Sequence, residues 1–108
     1  MGITKSTLFS EYQNQLAQIF KAMGHPARIA ILEYLLKTKS CICGDIVDKL
    51  PLAQPTISQH LKELKSAGII QGTIEGTSVC YCINMQHLEI VKAFIEGMSV
   101  SKIENSCC

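Results

Sequence analysis

The sequence predicts a mostly α-helical fold with a small β hairpin, and three observations carry that expectation. Apolar residues recur at three- and four-residue steps over most of the chain, two β-branched runs flank a Glu-Gly-Thr turn, and glycine or proline punctuates the breaks. The chain has 108 residues, 47% of them apolar and 18% charged. That suits a single domain over 1–108 with a core of its own, and it excludes a two-domain enzyme or a disordered chain.

Leu8, Tyr12, Leu16, Ile19, Phe20 and Met23 form the stripe of a first helix. Gly24-His25-Pro26 stops it, with glycine suited to a left-handed cap and proline to the first turn of the next helix. That second helix covers 27–36, with Ile29, Leu32, Leu35 and Leu36 expected on its buried side. Ser40-Cys41-Ile42-Cys43-Gly44 alternates too sharply for a helix and reads as a brief strand, Ile42 inward and both thiols outward. A short third helix over 45–50 follows, then a tight turn over 51–55 and a fourth helix over 56–66 with Ile57, Leu61 and Leu64 inward. Two helices joined by a tight turn, the second carrying polar residues outside, match a helix-turn-helix.

The runs 69–74 and 78–83 around Glu75-Gly76-Thr77 read as a hairpin, the wing. A fifth helix over 85–98 carries Leu88, Val91, Phe94, Ile95 and Met98, and a polar tail over 99–108, expected to be flexible, ends in Cys107-Cys108. The whole is a winged helix-turn-helix of about five helices and a two- to three-stranded wing. The first and fifth helices have apolar faces larger than such a core needs. They either cover the chain's own core or pair two copies, and the homodimer is the expectation.

Net charge is +1, so any nucleic-acid surface must be local. Nine of the ten basic residues are lysines and only Arg28 is an arginine, which leaves almost no bidentate guanine recognition. No Ser/His/Asp set, phosphate loop or His-Glu-x-x-His motif is present, so no enzyme is expected. With neither a spanning apolar run nor a signal peptide, a cytoplasmic protein without membrane contact is expected.

Three stretches, in order, resemble the ArsR/SmtB family of winged-helix repressors: 19–32 with Gly24-His25-Pro26-Ala27-Arg28, the run Pro55 through Ile70 with Ser58-Gln59-His60-Leu61, and the wing from Glu75 to Tyr81. Together they span about residues 15–85. The resemblance implies a homodimer that grips double-stranded operator DNA, an inverted repeat, and releases it when a soft metal or metalloid binds cysteine thiolates. Polar side chains near a helix N-terminus suit phosphate and major-groove base edges. Gln54, Thr56 and Gln59 are the expected base readers, and Ser58, His60, Lys62 and Lys65 the expected phosphate contacts, with helix packing the alternative for His60. Ala53 stands where many relatives carry a capping serine.

Six cysteines without an export signal favour metal or redox chemistry over a disulfide scaffold. Cys41-Ile42-Cys43-Gly44-Asp45 resembles the family's metal-binding segment, with the thiols one position earlier relative to Asp45. If that strand pairs beside the last hairpin strand, Val79, Tyr81 and Ile83 point inward and Cys80 and Cys82 join Cys41 and Cys43 on one outer face. Such a cluster suits As(III), Cd(II), Zn(II) or Cu(I). Cys107 and Cys108 are a second candidate for a metalloid. As(III) is the foremost inducer, a redox- or persulfide-responsive repressor is the alternative, and a thiol oxidoreductase is remote because no Cys-x-x-Cys stands beside a βαβ pattern.

Overall fold

The computed structural model describes residues 8–38, 41–43, 50–75 and 78–100. In chain order it contains α1 (Glu11–Met23), α2 (Pro26–Thr38), β1 (Ile42–Cys43), α3 (Gln54–Ser66), β2 (Ile70–Glu75), β3 (Ser78–Ile83) and α4 (Met85–Val100). The three strands form one antiparallel sheet in the order β1-β3-β2. This is the winged-helix architecture, with four helices and a three-stranded wing among the described residues. The short helix expected over 45–50 lies outside them except for Leu50, as do Gly76, Thr77 and the tail from 101 onward.

Local chemistry fixes most boundaries. Ser10 caps α1 through a capping box: the Gln13 N–H donates to its Oγ at 3.0 Å, and its own N–H donates to Gln13 Oε1 at 3.0 Å. That cap starts α1 after Leu8, which is exposed ahead of the helix rather than part of its stripe. Gly24 closes α1 at φ −82°, outside the left-handed region, and its N–H donates to Lys21 O at 3.3 Å. His25 then caps α2, its Nδ1 accepting the Ala27 N–H at 3.0 Å. At the far end of α3, the Gly68 N–H donates to Lys65 O at 2.9 Å and the Ile69 N–H to Leu64 O at 3.1 Å. That is the Schellman pattern, and Gly68 supplies its left-handed residue at φ 85°.

The core gathers Leu16 and Ile19 of α1, Ile31 and Leu35 of α2, Ile57, Leu61 and Leu64 of α3, and Ile42, Ile70 and Tyr81 of the sheet. One expected face is turned: α2 buries Ile31, Leu32 and Leu35, while Ile29 and Leu36 are 42% and 48% exposed. Every turn of α2 carries apolar residues, so periodicity alone did not single out the buried side. In the sheet, Ile42 faces Tyr81 and Ile70 faces Ile83, and Ile83 is half-buried against the core. Val79 pairs with Ile74 by backbone register, and its side chain lies outside the described set. Gly72 sits opposite Tyr81 at φ 134°, where a Cβ would collide with the Cys80 carbonyl oxygen.

Candidate nucleic-acid interface and cysteine face

The α3 helix divides sharply by face. Ile57, Leu61 and Leu64 are buried, so the helix is held from behind by the core. Gln54, Thr56, Gln59, Lys62 and Lys65 are exposed and Ser58 is half-buried. Its first turn has no side-chain cap, because Ala53 occupies the N-cap with extended backbone and Pro55 lies in that turn. The N-cap therefore supplies no side-chain acceptor to the backbone donors of this turn. Gln59 is not idle in the free protein, since its Nε2 donates to Glu63 Oε2 at 3.0 Å.

Of the two readings open for His60, the structure takes helix packing over phosphate contact. Expected to touch phosphate, it is only 9% exposed and faces α2, where its Nδ1 accepts the Arg28 Nε–H at 3.0 Å. Its ring lies 4.4 Å from that of His25. The Arg28 guanidinium also donates through Nη1 to the Ala22 carbonyl at 3.1 Å, so the only arginine is committed to tying α1, α2 and α3 together. Burial, then the neighbouring His25 and Arg28 charges, hold His60 below the usual histidine range, with Glu63 acting against them. The signal was present in the spacing, because position 60 stands three residues after Ile57 and four before Leu64, on the inner stripe.

A second constellation lies on the outer face of the sheet. The β1–β3 register sets Cys43 opposite Cys80, and continuing it one residue sets Cys41 beside Cys82. The β2 strand adds Gln71 opposite Cys82 and Thr73 opposite Cys80. The four expected cysteines do share one face, but not as four free thiols. Cys43 and Cys80 are joined in a disulfide, with Cα atoms 3.9 Å apart, while Cys41 and Cys82 are free and in hydrogen-bond contact. That contact, then burial, pushes the Cys82 thiol above the usual thiol range, with Gln71 working the other way. In this state no group of three or more His, Cys, Asp or Glu side chains among the described residues is arranged to hold a metal ion. Two sulfurs are engaged with each other and are not thiolate donors. With the disulfide reduced, four sulfur donors of the kind thiophilic ions take would lie on this one face. Cys107 and Cys108 lie outside the described residues.

A third feature is apolar. Tyr12, Leu16, Ala17, Phe20 and Phe94 line a groove between α1 and α4 in which the Phe20 and Phe94 rings meet edge to face at 5.8 Å. Ile95 and Met98 extend the exposed surface along α4. No described helix is long and apolar enough to cross a membrane.

A helix locked by its inner face, open on its polar outer face and followed by a hairpin that completes a three-stranded wing defines a winged-helix transcriptional regulator. Residues 25–71 match the model of the arsR family of bacterial regulatory proteins. An uncharacterized HTH-type transcriptional regulator of Methanocaldococcus jannaschii is 44% identical over 84 residues, covering 76% of this chain and 93% of that one. The transcriptional repressor SmtB of Mycobacterium tuberculosis is 37% identical over 72% of this chain and 57% of its own length. A homologue of the cadmium resistance regulatory protein CadC from Staphylococcus aureus is 30% identical over 92% and 84%. In fold, the chain superposes on the crystal structure of an ArsR family transcriptional regulator with a TM-score of 0.69 at 23% identity, covering 84% of this chain and 93% of that one. The chain belongs to the arsR family. It is a transcriptional regulator of a family whose members named here are regulators, and the oxidoreductase alternative falls with that.

Proposed function

We propose that the protein is an operator-binding repressor, dimeric through α1 and α4, that leaves DNA when a thiol-binding metal or metalloid, foremost As(III), occupies its cysteines. The observation that carries this reading is the two-faced α3, with Gln54, Thr56 and Gln59 turned outward for base edges and Ser58, Lys62 and Lys65 for phosphate. The thiols of the adjacent sheet face, or the pair Cys107 and Cys108, supply the soft ligands. Relatives named for cadmium resistance and for arsenical resistance support the inducer class. The Cys43–Cys80 disulfide favours a second reading, in which thiol oxidation moves the same equilibrium.

An operator gel shift on reduced protein tests both, with As(III), Sb(III), Cd(II), Zn(II) and Cu(I) in one set of lanes and a polysulfide donor in another. A ligand releases DNA only by the difference in its affinity for the two states, so operator affinity is expected to fall about 5- to 150-fold. Failure to bind any inverted-repeat operator would overturn the repressor reading. Binding that none of these ions weakens would overturn the metal switch.

A further inference from the structure

We infer that the corner where α1, α2 and α3 meet is a binding site for a small zwitterion of the α-amino-acid class, whose occupant acts on operator binding through Glu63. The site uses none of the cysteines, and only its effect on DNA rests on the reading of α3 as the DNA-facing helix. A cavity of about 480 Å³ opens there, lined by Gln18, Lys21 and Ala22 of α1, Arg28 of α2, and Glu63 and Ser66 of α3. Small-molecule sites run from about 300 to 1,000 Å³, so the space suits such a ligand. Charged and hydrogen-bonding side chains dominate the lining, which selects a polar occupant.

The charges are sorted by element. Lys21 and Arg28 belong to α1 and α2, whereas Glu63 belongs to α3. Arg28 lies in the first turn of α2 and Glu63 in the last turn of α3, so the positive end of one helix dipole and the negative end of the other agree in sign with the side chains. The carbonyl end of α1 is met by Arg28 itself, whose Nη1 donates to Ala22 O at 3.1 Å. Arg28 is held at a second point, its Nε donating to His60 Nδ1 at 3.0 Å, and its Nη2 has no hydrogen-bond partner among the described residues. Among the described residues, no ion pair joins Glu63 to Lys21 or Arg28. Opposite charges that line one cavity without closing on each other match a ligand carrying both signs. Its carboxylate accepts from Arg28 Nη2 and Lys21 Nζ, its ammonium donates to Glu63, and Gln18 and Ser66 offer neutral hydrogen bonds. A dicarboxylate would set an anion against Glu63, and a diamine would set a cation against Lys21 and Arg28. In the free protein Glu63 accepts from Gln59 Nε2 at 3.0 Å. An ammonium on Glu63 competes for that carboxylate and offsets its charge, which frees Gln59 and lowers the repulsion between α3 and DNA. The occupant is therefore a corepressor, and its effect does not add to that of Glu63→Gln, which removes the same charge.

Amide NMR spectra of the full-length chain under reducing conditions, without DNA, test the site. Each of the common L-α-amino acids is added in turn to about 10 mM, enough to fill a millimolar site. At least one is expected to shift the amides of Lys21, Ala22, Arg28, Ser66 and Ala67 saturably. Glycolate keeps the carboxylate without the ammonium, and ethanolamine keeps the ammonium without the carboxylate. Both are expected to bind at least about tenfold more weakly than that amino acid, and Lys21→Gln and Glu63→Gln are expected to bind it about tenfold more weakly than the wild type, since each comparison removes one charge-assisted contact. Lys21 and Glu63 are exposed, so both variants are expected to keep the wild-type fold by circular dichroism, whereas Arg28 is left in place because it ties three helices together. In fluorescence anisotropy the same amino acid is expected to tighten operator binding at least about fivefold in the wild type and to leave Glu63→Gln unchanged. No saturable shift at this corner from any amino acid, glycolate binding as tightly as the amino acid, or wild-type affinity in both variants would overturn the site. Shifts at the corner with unchanged or weakened operator affinity would overturn the effect on DNA. A chain that binds no operator with or without amino acid would fail as a repressor, while the spectra still decide the site.

Discussion

His60 shows how a polar residue on a reading helix can serve the helix's placement instead of its target. It accepts from Arg28 only while its Nδ1 is unprotonated, so its neutral form is the one the fold holds. Its proton affinity is lowered in the folded state, and the unfolded chain therefore takes up a proton first as pH falls. Stability contributed by His60 is then fully present above about pH 6.5 and is lost as pH drops through the lowered folded value. Denaturant midpoints at about pH 7.5 and pH 5 should differ in the wild type, with the lower midpoint in acid, and the difference should shrink in His60→Gln. An unchanged pH dependence in that variant would show that His60 does not set it. Gln59 and Glu63 make a second pair to test. Releasing Gln59 from Glu63 frees its amide for a base, and Glu63→Gln also removes a negative charge from the DNA-facing helix. Operator affinity should rise in Glu63→Gln, whereas Gln59→Ala should relax base preference and Lys65→Ala should weaken all sequences alike, flattening the salt dependence by about one unit. Equal losses across sequences from both alanine variants would overturn this division of labour.

Among the elements, α3 has the strongest rear attachment and the weakest start. Leu64 is fully buried, and Leu64→Ala should cost about 2–5 kcal/mol. Ala53 gives the first turn no side-chain acceptor, so Ala53→Ser should stabilise the free protein by about 1 kcal/mol in urea unfolding. No shift in midpoint would mean that the N-terminal donors already have partners. Much of this was legible in the sequence: the positions of Ile57, Leu61 and Leu64 and the Gly68 stop follow from the 3.6-residue period with its punctuation, and the pairing of β1 with β3 follows from the winged-helix architecture that the chain resembles. Other features were not. The buried side of α2 was obscured by apolar residues all round the helix, the start of α1 by Leu8 extending its stripe past the Ser10 cap, and the inward turn of His60 by its polar character. Alternation put four sulfurs on one face, but it carries no information about which two are bonded.

For the molecule as a whole, the exposed groove between α1 and α4 is the surface on which the proposed dimer depends, and with it the number of reading helices that would meet DNA at once. Phe20 and Phe94 are 37% and 38% exposed in a single chain, and continuous apolar surface of this kind marks an association site. A two-fold dimer built there would present two copies of α3, and the operator would be an inverted repeat with half-site centres roughly 34 Å apart. The logarithm of DNA affinity falls with the logarithm of salt in proportion to the number of phosphates neutralised. Lys62 and Lys65 are exposed, and in the proposed dimer each copy would bring them to one half-site, so dimerisation would double those contacts. Phe20→Lys with Phe94→Lys would place like charges across the two-fold interface and desolvate them there, so this variant should sediment as a monomer at concentrations where the wild type is a dimer. Its affinity for the full operator, followed by fluorescence anisotropy over a salt series, should show about half the wild-type slope, while α3 itself remains folded by circular dichroism. A wild type that sediments as a monomer at every concentration, or a footprint confined to one asymmetric half-site, would place the interface elsewhere and leave the apolar groove to another occupant.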